Sequence, residues 1–173
     1  YMQYNNQLVL TGALDDVGEY LRENVDKSYR LGLELDATLF LSDQFSLNSN
    51  LAVSRNKIQD LTINRDGSLQ NLGDTNIAFS PDLITTHALE YTPNSKFRAA
   101  LIGKYVGEQY MSNTDTEASK LDSYFVTDLN FSYVLPLKTV FKSVVFTGMI
   151  NNLLDLEYED RGFTYLDTWS GPT

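Results

Sequence analysis

The sequence predicts an all-β chain, an antiparallel meander that forms part of a transmembrane β-barrel, and two observations carry that reading. Hydrophobicity of period two recurs along the chain, and the connections between the periodic stretches alternate between short and long. Seven stretches read as strands: 1–11, 28–41, 45–59, 82–92, 97–110, 121–135 and 143–152. The links at 42–44, 93–96 and 136–142 are short, whereas 12–27, 60–81, 111–120 and 153–173 are long and polar. An antiparallel sandwich has no physical reason to sort its loops in this way. A meander crossing a bilayer does, with tight turns on one side and elaborated loops on the other.

The strands are taken in order. Stretch 1–11 is read as the first strand. In 28–41 the odd positions Tyr29, Leu31, Leu33, Leu35, Ala37, Leu39 and Leu41 alternate with Ser28, Arg30, Gly32, Glu34, Asp36, Thr38 and Phe40. Successive side chains of a strand point to opposite faces, so one face is an unbroken apolar stripe and the other is charged. A helical period of 3.6 would smear these leucines around the circumference. The next stretch repeats the pattern, with Phe45, Leu47, Leu51 and Val53 alternating with Ser46, Asn48, Asn50, Ala52 and Ser54. In 82–92 and 143–152 apolar residues occupy both parities and the faces stay unassigned. In 97–110 the match is partial: Phe97, Ala99, Leu101, Gly103 and Tyr105 oppose Arg98, Ala100, Ile102, Lys104 and Val106. In 121–135, Leu121, Phe125, Leu129, Phe131, Tyr133 and Leu135 alternate with Asp122, Tyr124, Asp128, Asn130 and Ser132, and Thr127 is the polar intruder.

Composition agrees with a barrel. Mean hydropathy is an ordinary −0.27, and nothing approaches the ~18 consecutive apolar residues of a membrane helix. Barrel strands need apolar residues only at alternate positions. The 11 Tyr, 9 Phe and 1 Trp gather near strand ends, with Phe40 and Phe45 flanking one short turn, Tyr91 and Phe97 another, and Tyr133 before the third. An interfacial aromatic girdle has this distribution, although aromatics also favour strands in general. The chain opens inside a strand and ends on Ser170-Gly171-Pro172-Thr173. Seven antiparallel strands would leave two open edges, which lipid does not tolerate, so the expectation is a piece of a larger barrel.

A formal net charge of −10 with no basic stripe argues against nucleic acid. Without cysteine there is no disulfide framework, thiolate metal site or cysteine nucleophile. Acidic residues cluster in long links, at Asp15, Asp16, Glu19 and Glu23 and at Asp155, Glu157, Glu159 and Asp160. Solvated loops explain them; a site for cations or cationic ligands is the sharper alternative. His87 is the single histidine and reads as a wall residue of a strand. Glu34 and Asp36 share a strand face, which suits the polar lining of a barrel better than an acid–base pair. With no phosphate-cradling glycine loop before a helix and no G-x-S-x-G, the reading is of a protein that is not an enzyme and carries no catalytic residue, cofactor or metal.

Near the C-terminal end, Met149-Ile150-Asn151-Asn152-Leu153-Leu154-Asp155-Leu156-Glu157-Tyr158 resembles the "NNLFDKxY" signature at the end of the penultimate barrel strand in TonB-dependent outer-membrane receptors. Leu154 stands where the pattern has Phe, and Leu156-Glu157 where it has a basic pair. Tyr4 to Gly12 and Asn24 to Leu35 are similar to paired late strands of such receptors, with Ser28 to Glu34 matching "S-x-x-x-G-[IVL]-E". Phe79 to Asp82, Tyr105 to Tyr110 ("YVGxQY") and Leu121 to Leu129 ("LxxYxxxDL") resemble further receptor segments, in the expected order.

The resemblance implies a 22-stranded barrel of which 1–173 is a C-terminal portion, strands 15–21, with the plug, the early strands and the last strand outside it. It implies extracellular long loops and periplasmic short turns in the outer membrane of a Gram-negative bacterium. The implied partners are membrane lipid and lipopolysaccharide around the wall, the TonB complex acting through the plug, and a nutrient ligand. The expected cargo is a ferric siderophore or similar iron complex, imported with energy supplied by TonB. A SusC-like oligosaccharide importer, a cobalamin importer and a plug-less porin or adhesin-type barrel are the alternatives. Arg30, Glu34, Asp36, Arg98, Lys104, Asp128 and Asn130 would face the plug and water. Tyr110, Tyr158, Arg161, Tyr165 and Trp169 are the candidate ligand contacts, because aromatic faces and a guanidinium suit siderophores or sugars.

Overall fold

A computed structural model describes residues 1–65, 67–137 and 140–164. Its strands, in chain order, are β1 (Met2–Leu14), β2 (Tyr20–Phe40), β3 (Phe45–Arg65), β4 (Ser68–Asn76), β5 (Leu83–Asn94), β6 (Phe97–Val106), β7 (Gln109–Tyr110), β8 (Lys120–Leu121), β9 (Tyr124–Pro136) and β10 (Ser143–Ile150). A single 3-10 turn, Glu117–Ser119, precedes β8, and no α-helix occurs among the described residues. The main sheet runs β1-β2-β3-β5-β6-β9-β10, with β4 paired to β3 off this path, and β7-β8 form a separate ribbon. All pairings are antiparallel. This is the predicted meander, open between β1 and β10.

Strand limits differ from the sequence reading mainly at the long-loop end. Much of 12–27 is strand, because β1 and β2 pair up to Leu14↔Tyr20 around a five-residue turn whose Asp15 carboxylate accepts the Val17 and Glu19 amides. Much of 60–81 is strand as well, since β3 continues to Arg65 and pairs with β4. Polar strands that project into water lack the apolar alternation by which strands are recognised, so they read as loop. Stretch 97–110 breaks after Val106, and 121–135 breaks between β8 and β9. β2 and β3 each run 21 residues, about twice the ~9–11 that a tilted strand needs to cross a bilayer.

Residues directly opposite in an antiparallel pair share a face, so the registers extend the β2 stripe across the sheet. Leu35 lies opposite Leu51, and Leu39 opposite Leu47. Leu47 lies opposite Leu89, Leu89 opposite Leu101, Leu101 opposite Leu129, and Leu129 opposite Ile150. One apolar face therefore runs through six strands. The register also settles the two strands the sequence left open: Leu83, Leu89 and Tyr91 of β5, and Val144, Phe146 and Ile150 of β10, lie on this face. The leucines of β2 stand bare on it, with Leu33 62% exposed and Leu39 53%. An apolar surface this continuous marks a contact with lipid or with another protein. Phe125 and Phe131 lay their rings over Gly103 and Gly148, where a Cβ would collide with them. Glycine there costs strand propensity, and the aromatic cover restores packing. Arg30, Glu34, Asp36, Arg98, Lys104, Asp128 and Asn130 all take the opposite parity, as predicted, and Glu90, on a strand whose faces the sequence left open, joins them.

Aromatic rings bound the apolar face at both ends. Towards the short turns Phe45 stacks on Tyr91 at 4.6 Å and Tyr91 meets Phe97 edge-on at 6.3 Å; Phe97 lies opposite Tyr133, and Tyr133 opposite Phe146. Phe40 is opposite Ser46 and shares the polar parity of Thr38, so it leaves the girdle in which the sequence placed it. Towards the long loops stand Tyr29, Tyr105 and Phe125. Phe97 and Tyr105 are eight residues apart on β6, ~26 Å along the strand and ~20 Å along the normal at a tilt of ~40°. That suits the ~25 Å apolar band of an outer-membrane barrel.

Beyond the second belt the hairpins enclose a small core of Val9, Val25, Ile58, Leu61 and Ile77, with Ile63 and Leu72 against it. The opposite end is trimmed: Ser42 Oγ accepts the Gln44 and Phe45 amides, and Asn94 Oδ1 accepts those of Lys96 and Phe97.

Candidate functional site at the loop end of the sheet

As far as they are described, the long connections gather at one end of the sheet, and there they are tied to one another. Segment 107–123 is held chiefly by two side chains. Asn113, 2% exposed, donates from Nδ2 to the Leu10 carbonyl at 2.8 Å and accepts the Ala78 amide at 2.9 Å. Asp115 accepts the Asn76 amide at 2.9 Å and its Nδ2 at 3.0 Å, with Lys57 Nζ 3.9 Å away. The Phe79 amide donates to the Tyr110 carbonyl at 2.8 Å. Each of these groups would pay a desolvation cost if left unpaired, so burial and bonding enforce one arrangement. Tyr20 donates to the Gly162 carbonyl at 3.1 Å and packs edge-on against Phe79, while the Thr164 amide donates to the Gly12 carbonyl at 3.0 Å. Gly12 sits at φ +85°, and any side chain there would strike the backbone of Met111. Only glycine lets β1 and the 107–123 loop approach so closely.

The segment carrying the signature, 151–158, has an equally explicit geometry. Asn152 adopts φ +49°, a conformation asparagine tolerates better than most residues. Its amide donates to Asp128 Oδ1 at 2.8 Å, and the Leu153 amide donates to the Thr127 carbonyl at 2.6 Å, so the chain leaving β10 is bolted to β9. Its side chain then spans the turn, with Nδ2 donating to the Leu156 carbonyl at 2.9 Å and Oδ1 accepting the Leu156 amide at 3.1 Å. That bracket delivers Tyr158 onto Tyr124, ring centroids 4.4 Å apart and planes 21° from parallel.

The stacked tyrosines, with Lys120, Asp122, Glu157 and Glu159, line an open cleft of about 720 Å³. Lys120 Nζ is 2.9 Å from Glu108 and 3.8 Å from Glu117. The hydrogen bond to Glu108, followed by the charges of Glu108 and Glu117, raises the Lys120 ammonium above the ordinary lysine value. A second cleft of about 310 Å³, lined by Asn76, Asp82, Tyr105, Glu108 and Tyr110, lies across the β7-β8 ribbon.

The structure distributes the sequence-predicted contacts. Tyr158 lines the larger cleft and Tyr110 the smaller. Arg161 is exposed and lies 3.9 Å from the neighbouring Asp160 carboxylate; among the described residues it lines neither cleft. Tyr165 and Trp169 lie outside the described residues. Sequence reasoning passed over Tyr124 and Lys120, assigned to a strand and a loop respectively, because only the Asn152 bracket and the β7-β8 pairing bring them to Tyr158. No group of three or more His, Cys, Asp or Glu able to hold a metal ion occurs among the described residues. What the arrangement offers is a mouth of stacked phenols and mixed charge on a braced loop frame, a surface for binding.

Solved structures of the same architecture include the siderophore receptor PiuA from Acinetobacter baumannii, at TM-score 0.64 and 19% identity, covering 93% of this chain and 22% of that one. The copper transporter OprC matches at TM-score 0.61 and 19% identity, over 92% and 22% of the two chains. A mutant of the ferric enterobactin receptor PfeA from Pseudomonas aeruginosa matches at TM-score 0.55 and 19% identity, over 89% and 22%. At that identity the likeness is one of fold, and this chain spans about 22% of the length of these proteins. No curated protein matches. A family model described as TonB dependent receptor-like, beta-barrel, matches residues 1–153, and with the meander, its two faces and the braced loop end in agreement, the chain belongs to the TonB-dependent receptor β-barrel family.

Proposed function

We propose that this chain is the C-terminal part of the barrel wall, strands 15–21 of 22, of an outer-membrane receptor that binds a scarce nutrient at the cell surface and imports it with energy supplied through TonB. The observation that carries the reading is the register-continuous apolar face between two aromatic belts, with every long connection gathered beyond one of them. Lipid surrounds that face, the polar face turns inward, and the loop end forms part of an extracellular vestibule. The wall itself moves no cargo; it supplies a rigid boundary and ligand contacts at its mouth, while the coupled step belongs to parts of the receptor outside this chain. Iron in a siderophore-type complex is the favoured cargo. Two of the similar structures are receptors for such compounds by name, and Tyr158 stacked on Tyr124 offers an aromatic surface to a planar or catechol-like ligand. Tyr110, Tyr158, Arg161, Tyr165 and Trp169 remain the proposed contacts, joined by Tyr124 and Lys120.

Two measurements on the full-length receptor test this. Thr116→Cys should react with a membrane-impermeant maleimide on intact cells, while Asp43→Cys and Asn94→Cys stay protected, each read against the parent receptor; residues 1–173 contribute no cysteine of their own. Reversed labelling would overturn the orientation. Uptake of a radiolabelled ferric siderophore, in cells relying on this receptor alone, should vanish when TonB is deleted. Uptake that persists without TonB would show a passive pore instead.

A further inference from the structure

The two clefts at the loop end lie on either side of one ion pair. Lys120 lines the larger and Glu108 the smaller, and the two side chains meet at 2.9 Å. Among the described residues Lys120 is the one basic side chain on either lining. With Glu117 also 3.8 Å away, its charge is already matched twice. The carboxylates are not matched. Asp122, Glu157 and Glu159 on the larger cleft and Asp82 on the smaller are exposed, and none of them makes an ion pair among the described residues. Arg161, the cation nearest to Glu159 along the chain, lies beside Asp160 instead.

The larger cleft therefore joins three unneutralised carboxylates to the paired rings of Tyr124 and Tyr158, stacked 4.4 Å apart. The face of an aromatic ring carries the negative part of its quadrupole, so rings and carboxylates select the same sign of charge in a ligand. The coincidence is held by the backbone: the Asn152 side chain grips both the amide and the carbonyl of Leu156, and Glu157, Tyr158 and Glu159 follow directly from that fixed point.

We propose that the cargo presents a positively charged organic group, an ammonium or guanidinium, to this cleft, where Tyr158 and Tyr124 hold it by cation–π attraction and Asp122, Glu157 and Glu159 by charge. Anionic iron complexes are turned away. The inference rests on the reading that the loop end is the mouth of a receptor for an iron complex, and it narrows that reading by charge. Carboxylates on two separate segments around an open cleft of about 720 Å³ suit a charge spread over an organic group rather than a bare metal ion. Ferric iron bound by three hydroxamates is neutral and becomes a cation with any pendant ammonium, whereas iron bound by three catecholates is an anion. An anion at this mouth would meet like charge, with Lys120 already engaged, and like-charge juxtaposition is costly.

The experiment measures retention of radiolabelled iron by the full-length receptor in detergent. Three complexes are offered: a ferric tris-hydroxamate bearing a terminal ammonium, the same complex with that ammonium acetylated, and a ferric tris-catecholate. The parent should bind the ammonium form most tightly and the catecholate least. An exposed charge contact contributes about twofold in affinity, so Asp122→Asn/Glu157→Gln/Glu159→Gln should bind the ammonium form about eightfold more weakly and the acetylated form unchanged. Tyr158→Leu should cost the ammonium form about threefold more than the acetylated form, and Tyr158→Phe should restore the difference. Asp16→Asn/Glu23→Gln/Asp26→Asn removes as much charge from exposed positions of the β1-β2 hairpin and should bind as the parent does; an equal loss there would make the effect one of net charge and overturn the cleft. Equal affinity of the parent for the ammonium and acetylated forms, or an unchanged triple variant of the cleft, would overturn the charge preference and leave the mouth reading in place. Retention of none of the three complexes would overturn the iron-complex reading and this proposal with it.

Discussion

His87 is the least expected residue on the apolar face, and its surroundings yield a quantitative prediction. It lies opposite Ser49 and two residues from Thr85 on the same face. Thr85 Oγ1 is 2.8 Å from the Asn50 carbonyl, 3.0 Å separates it from His87 Nε2, and His87 Nδ1 is 3.0 Å from Ser49 Oγ. A hydroxyl has one proton to donate. Thr85 gives its proton to the carbonyl, so it must accept from Nε2–H, and Nδ1 then accepts from the Ser49 hydroxyl. The relay runs from Ser49 through the imidazole and Thr85 to Asn50, and it satisfies every polar atom of the ring on an otherwise apolar face. Ser49→Ala breaks the first link and leaves Nδ1 unpaired, at a cost of ~1–3 kcal/mol. In a His87→Leu background the same change removes nothing the ring needs, and Thr85 keeps its bond to Asn50. The double-mutant cycle should therefore show a coupling of ~1–2 kcal/mol, with His87→Leu alone close to neutral because an apolar side chain suits the site. Urea unfolding of the full-length receptor in lipid vesicles measures it. Should Ser49→Ala cost the same in both backgrounds, the relay is wrong.

Two further perturbations probe the wall and the signature turn. Leu35→Arg puts a cation on the apolar face between the belts and should cost ~2–4 kcal/mol of barrel stability, whereas Glu34→Gln on the other face should cost well under 1 kcal/mol in the same vesicle titration; equal costs would reject the face assignment. Asn152→Ala loses both side-chain bonds to Leu156 and strains a left-handed residue, ~2–3 kcal/mol in all, while Asn152→Gly keeps the backbone comfortable and loses only the bonds. Amide exchange at Leu156 should accelerate in both variants and more in the alanine one; unchanged exchange would mean that the bracket does not hold the turn.

The two-faced part of this fold was legible because a strand with one apolar and one polar side carries a period of two. Leu31, Leu33, Leu35 and Leu39 have to alternate with polar residues when one side of a strand meets hydrocarbon and the other does not, so β2, β3 and β9 could be read directly. In β5 the rule is broken by Thr85 and His87 on the apolar face and by Ile84 and Ala88 on the other, and only the pairing with β3 and β6 reveals which face is which. The outer halves of the hairpins were not legible for the converse reason. Gln59 to Arg65 and Ser68 to Asn76 stand in water on much of their surface, and no solvent boundary prints a pattern on them.

The site divides along a related line, between contacts near in sequence and contacts far apart. The Asn152 bracket closes over four residues, so its requirements fall on adjacent letters: an asparagine for the left-handed turn, an aspartate after it, a tyrosine at the end of the reach. That is why 149–158 could be recognised as a signature, and the structure supplies the reason for it. The loop brace works across distance. Asn113 grips Leu10 at a separation of 103 residues, and Asp115 grips Asn76 at 39. Seen alone, Ser112-Asn113-Thr114-Asp115 is indistinguishable from any solvated loop, because each side chain is specified by a backbone atom that the local sequence does not contain. The braced loop end is a product of register, whereas the stripe and the turn that frame it are products of local sequence.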